Sequence, residues 1–155
     1  MKKRIISGAA LLLTLSLFAA YMFWPMKLNT SGAAQAYVYV SNDFGWELKS
    51  DGGLISHRYS YDFTLEQESP EFAELLSLLG RVRFHRTLGG RAGGGSSDVH
   101  IRLHDSGGAE ICVIDTISGR LMVNGELRAV GLFSGEEVQD FARQASAINP
   151  GLSPQ

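Results

Sequence analysis

The apolar positions of this chain follow three patterns, and each predicts a different kind of element. Ile5 to Trp24 is an unbroken run of twenty residues without a charge. Coiled into a helix at ~1.5 Å per residue, such a run reaches ~30 Å, the thickness of a bilayer's hydrocarbon core. The second pattern is alternation or β-branched and aromatic enrichment. It covers Tyr37-Val38-Tyr39-Val40, Leu54 to Thr64, Arg81-Val82-Arg83-Phe84-His85, Val99 to His104, Ile111 to Ile114 and Leu121-Met122-Val123, and predicts strands. The third repeats every three or four residues, at Phe72, Leu75, Leu76 and Leu79 and again at Val138, Phe141, Ala142, Ala145 and Ile148. Each of these sets forms one apolar helix face.

The punctuation agrees with that division. Ser69 can cap the free amides of a helix that starts at Pro70, and Gly80 is placed to close it in a left-handed conformation. Ser134 and Glu137 form a capping box for the second helix, with Asn149-Pro150 as its stop. Asn42 to Gly45 and Ser50 to Gly53 punctuate the early strands. Asn124-Gly125 suits the two positive φ angles of a type I′ hairpin turn, which sets Val123 opposite Glu126 and Met122 opposite Leu127. The expected fold is α+β: a single small domain, mostly antiparallel sheet with two helices on one face, preceded by one N-terminal transmembrane helix.

The domain organisation follows. Residues 1–4 form a cytoplasmic N-terminus, 5–24 a transmembrane signal-anchor helix, 25–36 a flexible tether, 37–149 an extracytoplasmic α+β domain and 150–155 a disordered tail. Lys2, Lys3 and Arg4 direct the N-terminus to the cytoplasm, so the rest lies outside as a single-pass membrane protein. A cleaved signal peptide is the alternative, which would leave a secreted interaction or inhibitor domain. Signal cores are shorter, at ~7–15 residues, and the best small-x-small site, Ala34-Gln35-Ala36, is far from the end of the apolar run. No cysteine near that end is available for acylation, and four cytoplasmic residues cannot relay a signal by themselves.

Charge narrows the partners. From residue 37 onward there are ten Lys and Arg against sixteen Asp and Glu, a net of −6, although the whole chain carries −2. An acidic exterior argues against nucleic acid. Within this background the stretch from Arg81 to His104 holds five Arg and one Asp, a local +4.

Pairing Arg81–Thr87 with Asp98–His104 as a hairpin, with residue numbers summing to 185, would place Arg81, Arg83, His85, His100, Arg102 and His104 on one face. Val82, Phe84, Ile101 and Leu103 would share the other. Such a basic face suits phosphate, carboxylate or an anionic envelope polymer, because arginine offers forked hydrogen bonds. The plainer reading is a solvated face whose cations pair with Asp105, Glu110 and the acidic N-terminal part of the domain.

Other chemistry is thin. His100 and His104 lie ~13 Å apart on a strand, at ~3.3 Å per residue, too far for one zinc ion with bonds of ~2 Å. His85 and His100 lack an obvious third ligand, and His57 reads as a surface strand residue. The loop Leu88 to Ser97 is rich in glycine, but Asp98 and a strand follow it where a phosphate-binding loop needs Lys, Ser or Thr and a helix; it reads as a hairpin tip, with Arg91 able to join the basic face.

Cys112 is the only cysteine, so no intrachain disulfide can form, and it reads as a small buried hydrophobe. Tyr37, Tyr39, Tyr59 and Tyr61 are cross-strand packing residues or, alternatively, the lining of a sugar groove. Asn29-Thr30-Ser31 matches a glycosylation acceptor.

No catalytic motif, cofactor motif or metal site is legible. The expected function is a non-enzymatic, membrane-anchored binding or accessory module, recognising an anionic ligand or an envelope partner. One alternative is a small envelope hydrolase using His85, His100 or His104 as general base; another is a protein whose exposed strand edge pairs with a partner chain.

Overall fold

The structure, a computed structural model, describes residues 2–48, 54–87, 98–117, 119–130 and 136–148, with side chains described outside 2–9, 42–48 and 54–59. Helix α1 (Lys2–Phe23) is followed by strands β1 (Gln35–Leu48) and β2 (Leu54–Glu66), helix α2 (Pro70–Arg81) and strands β3 (Phe84–Arg86) and β4 (Val99–His104). Strands β5 (Glu110–Ile117), β6 (Arg120–Val123) and β7 (Glu126–Val130) and helix α3 (Glu136–Ala147) complete the order. The seven strands form one antiparallel sheet in the order β2-β1-β4-β5-β6-β7-β3. The fold is α+β, with three helices among the described residues.

The sheet's inner face carries Val38 and Val40 of β1, Leu65 of β2, Ile101 and Leu103 of β4, and Ile114 of β5, all essentially inaccessible to solvent. Phe72, Leu75, Leu78 and Leu79 of α2 and Val138, Phe141 and Ala145 of α3 join them in a single core. Both helices bury most of the stripe that their spacing predicts, with Leu78 added and Leu76 and Ala142 only half-buried. Tyr61 of β2 reaches across to α3, its hydroxyl donating to the Ser146 carbonyl at 2.9 Å.

Local signals explain the helix and turn ends. The Ser69 hydroxyl accepts from the Phe72 amide at 3.1 Å with Pro70 at the first helical position. Gly80 does not take the left-handed closing role expected of it: the helix continues to Arg81, and the Val82 amide bonds the Leu79 carbonyl. An arginine does the capping instead, Arg83 Nη1 donating to the carbonyls of Gly80 at 2.7 Å and Val82 at 3.0 Å. Asn124 (φ 52°) and Gly125 (φ 78°) make the left-handed pair of the β6–β7 turn, and Val123 faces Glu126 while Met122 faces Leu127. Ser134, Asn149-Pro150, the glycine-rich loop with Arg91, the turn at 50–53 and the tail at 150–155 lie outside the described residues.

Two further expectations are corrected. Strand β3 does not pair with β4; it pairs with β7, Phe84 opposite Val130 and His85 opposite Ala129, at the far edge of the sheet. Both edges of β4 are already occupied, by β1 and by β5. Its hairpin partner is β5, joined through Asp105, whose Oδ1 accepts from the amides of Gly107 and Ala109 at 2.8 Å each while Gly108 adopts φ 83°.

Residues 25–36, expected as a tether, belong to the folded body. Met26 exchanges two backbone hydrogen bonds with Phe84, at 2.8 and 3.2 Å, Leu28 and Ala33 are buried, and Gln35 and Ala36 are already in β1.

The end of α1 docks on the same edge. Arg86 donates to the Tyr21 carbonyl at 3.0 Å with its guanidinium 4.1 Å from the Tyr21 ring centre, and the rings of Phe23 and His85 meet edge-on at 6.3 Å. Among the described residues no helix is long and apolar enough to cross a membrane.

Candidate functional site

The side of the sheet away from α2 and α3 is shaped by strand register. Tyr37 stands opposite Arg102 and Tyr39 opposite His100 across β1 and β4, while on the other flank they face Thr64 and Asp62 of β2. Across β4 and β5, His100 stands opposite Asp115 and Arg102 opposite Val113. Because paired residues share a face, Tyr37, Tyr39, Thr64, His100 and Arg102 converge on a shallow groove of about 510 Å³ that also includes Gln35 and His104, with Asp62 and Asp115 standing beside it.

Its centre is a chain of hydrogen bonds. His100 Nδ1 lies 2.5 Å from Asp115 Oδ1, and His100 Nε2 lies 2.8 Å from Arg102 Nε. Arginine can only donate and an ionised carboxylate can only accept, so this arrangement requires a neutral imidazole protonated at Nδ1, with the Nε2 lone pair taken by Arg102. Glu110 stands 3.9 Å from Arg102 Nε across a half-exposed gap, a weak ion pair.

Held at Nε, the Arg102 guanidinium keeps its two terminal nitrogens for another partner: no hydrogen bond within the protein uses them among the described residues. The Tyr37 phenol is held above the ordinary tyrosine value, first by lost solvation and then by the charge and hydrogen bond of Asp62, with Arg102 opposing. Tyr37 therefore stays a neutral donor at physiological pH.

The six residues expected as one basic patch fall into two groups. His100, Arg102 and His104 lie together on β4. Arg81, Arg83 and His85 belong to the α2–β3 segment, and β5, β6 and β7 intervene, a separation of ~19 Å at ~4.8 Å per strand. Arg83 caps α2 there, Arg81 is exposed, and His85 packs on Phe23. These three line a different cavity of about 470 Å³, with apolar walls from Leu78, Val82 and Phe141.

The Nδ1 atoms of His85 and His104 are buried without a hydrogen-bond partner among the described residues. No group of three His, Cys, Asp or Glu side chains is placed to hold a metal ion among those residues. The side chains of His57 and Tyr59 are outside the description, and Tyr61 points to the core rather than to the groove.

Chemically the groove offers a fixed forked donor beside two tyrosines. His100 is not placed to act as a base there, since the nitrogen that would take a proton is occupied by Arg102. Asp115 is the participant that sequence reasoning missed. Its signal was present: a β4–β5 hairpin over the Asp105-Ser106-Gly107-Gly108 turn pairs residues whose numbers sum to 215, which puts Asp115 opposite His100. Comparison with protein-family models, curated proteins and solved structures finds no match to this chain.

Proposed function

We propose that this chain is a membrane-anchored extracytoplasmic binding module whose groove between β1 and β4 takes an anionic group at Arg102. The observation that carries the binding half is the Asp115–His100–Arg102 chain, which immobilises the guanidinium through Nε and leaves its outer fork unpaired among the described residues. A guanidinium fixed before the ligand arrives loses little rotamer freedom on binding, and its outer nitrogens match the two oxygens of a carboxylate.

The anchoring half is supported by α1. Every large hydrophobic side chain left exposed among the described residues lies on α1 or directly after it, from Leu11 to Trp24, and they surround the helix rather than line one side. A helix apolar around its circumference needs an apolar surrounding, which lipid supplies. In sequence the uncharged run extends back to Ile5, behind Lys2, Lys3 and Arg4.

Cleavage at Ala34-Gln35-Ala36 would cut β1, where Ala36 is fully buried, and would discard Leu28 and Ala33 from the core. That cost favours retention of the leader.

The binding half is tested by titrating the full chain in detergent micelles with acetate while following the arginine side-chain NH signals by NMR. Arg102 resonances should shift in a saturable way, and an Arg102→Ala chain should show no saturable response. Equal responses from both chains would defeat the proposal.

A further inference from the structure

We infer that the anion in this groove is the carboxylate of an acidic sugar, an inference that rests on the anion-binding reading just given. The charges around Arg102 set the first restriction. The Arg102 guanidinium shares the neighbourhood with the carboxylates of Asp115, Glu110 and Asp62. A phosphate group carrying nearly two negative charges would meet repulsion from all three, whereas a single carboxylate spreads one charge over the two oxygens that the Arg102 fork can hold.

The rest of the lining sets the second. Tyr37 and Tyr39 are two positions apart on one strand and share a face, so their side chains emerge ~7 Å apart, about the width of a pyranose ring. A tyrosine face covers apolar C–H groups while its hydroxyl stays wet, which suits a ring with one apolar face and a polar rim.

The remaining groups mix donors and acceptors. The Thr64 hydroxyl donates and accepts, and Gln35, whose amide nitrogen donates to Glu66 at 2.8 Å, keeps its oxygen as an acceptor; Asp62, beside the groove, is engaged by Tyr37. Sugar hydroxyls donate as well as accept, so a sugar ring can meet both the donors and the acceptors of the lining, whereas an ionised carboxylate such as acetate can only accept. A groove this shallow leaves a ligand half exposed, as a unit within a longer polymer must be. The ligand class is therefore a uronic-acid-type residue of an extracellular polysaccharide, lying on Tyr37 and Tyr39 with its carboxylate on Arg102.

The test uses the full chain in a polyoxyethylene detergent, which carries no sugar headgroup, titrated calorimetrically with digalacturonate, cellobiose, acetate and inorganic phosphate. Digalacturonate should bind at least about tenfold more tightly than acetate or cellobiose, a difference of one or two good contacts, with phosphate weakest. Tyr39→Ala should reduce digalacturonate to the level of acetate while leaving acetate unchanged, and Arg102→Ala should reduce it to the level of cellobiose. Unchanged melting curves establish that both variants are folded; should Tyr39→Ala fail to fold, Tyr39→Leu serves the same purpose.

Digalacturonate no tighter than acetate, or phosphate tighter than digalacturonate, would overturn the sugar assignment and leave the anion site standing. Absence of any response at Arg102 to acetate and to digalacturonate would overturn both.

Discussion

His100 joins Asp115 on β5 to Arg102 on its own strand, with Nδ1 2.5 Å from the carboxylate and Nε2 2.8 Å from the guanidinium. Each bond fixes the sense of the other. The carboxylate selects the imidazole tautomer, and that tautomer leaves a lone pair for arginine, so the position of a partly exposed guanidinium is set by a residue that does not touch it.

This relationship makes Asp115 a positioning residue with a distinctive mutational signature. Asp115→Ala should weaken anion binding about three- to tenfold, a cost of about 1 kcal/mol passed through His100, while Asp115→Asn, which keeps an acceptor oxygen, should recover most of it. NMR titration with acetate gives the affinities, and the histidine side-chain 15N shifts report the tautomer. Loss of binding without any change in the His100 tautomer pattern would mean that Asp115 acts through general stability instead.

A contrasting residue provides the control. Tyr61→Phe removes only the hydroxyl that bonds the Ser146 carbonyl, on the helix-covered side of the sheet. The expected loss is about 1 kcal/mol, or ~4 °C in Tm for a domain of this size, with anion affinity unchanged. Thermal melts and the same titration decide it; a binding defect here would show that the two faces are coupled.

The pH dependence of stability has a definite sign on the alkaline side. Cys112 is buried, and its thiol is pushed above the ordinary cysteine value by burial and then by Glu110. A group whose folded value is raised holds its proton more tightly when folded, so its contribution is intact below the unfolded thiol value, about 8.5, and is lost as pH rises through the folded value. Tyr37 is raised in the same sense and adds to the loss at still higher pH. Melting temperature should therefore fall more steeply between pH 8 and 10 for the wild-type chain than for Cys112→Ala, whatever the offset between them at pH 7. Parallel curves would remove Cys112 from the account.

The elements were legible in the sequence because their signals are local. Ser69-Pro70, the Phe72-Leu75-Leu79 spacing and Asn124-Gly125 each act over a few residues, and each lies where it was expected. Pairing between distant strands was not legible. Alternation in Val99 to His104 tells which side chains share a face, yet β3 and β4 carry the same alternation as many other partners would, and a three-residue strand has no register of its own.

The same limit explains the site. His100, Arg102 and His104 were recognisable as one face of one strand, whereas their association with Tyr37, Tyr39 and Asp115 depends on which strands lie beside β4. Segment 25–36 misled for a different reason: its small and polar composition resembles a linker, but Met26, Leu28 and Ala33 are enough to fasten it to Phe84 and the core.

The central claim, that this fold presents its groove from a lipid anchor, is tested most directly by washing membranes from expressing cells with alkaline carbonate and mapping the retained chain by peptide mass. The account predicts that the chain stays in the pellet and still carries residues 5–24. Release into the wash, or recovery of a chain beginning near Tyr37, would contradict it.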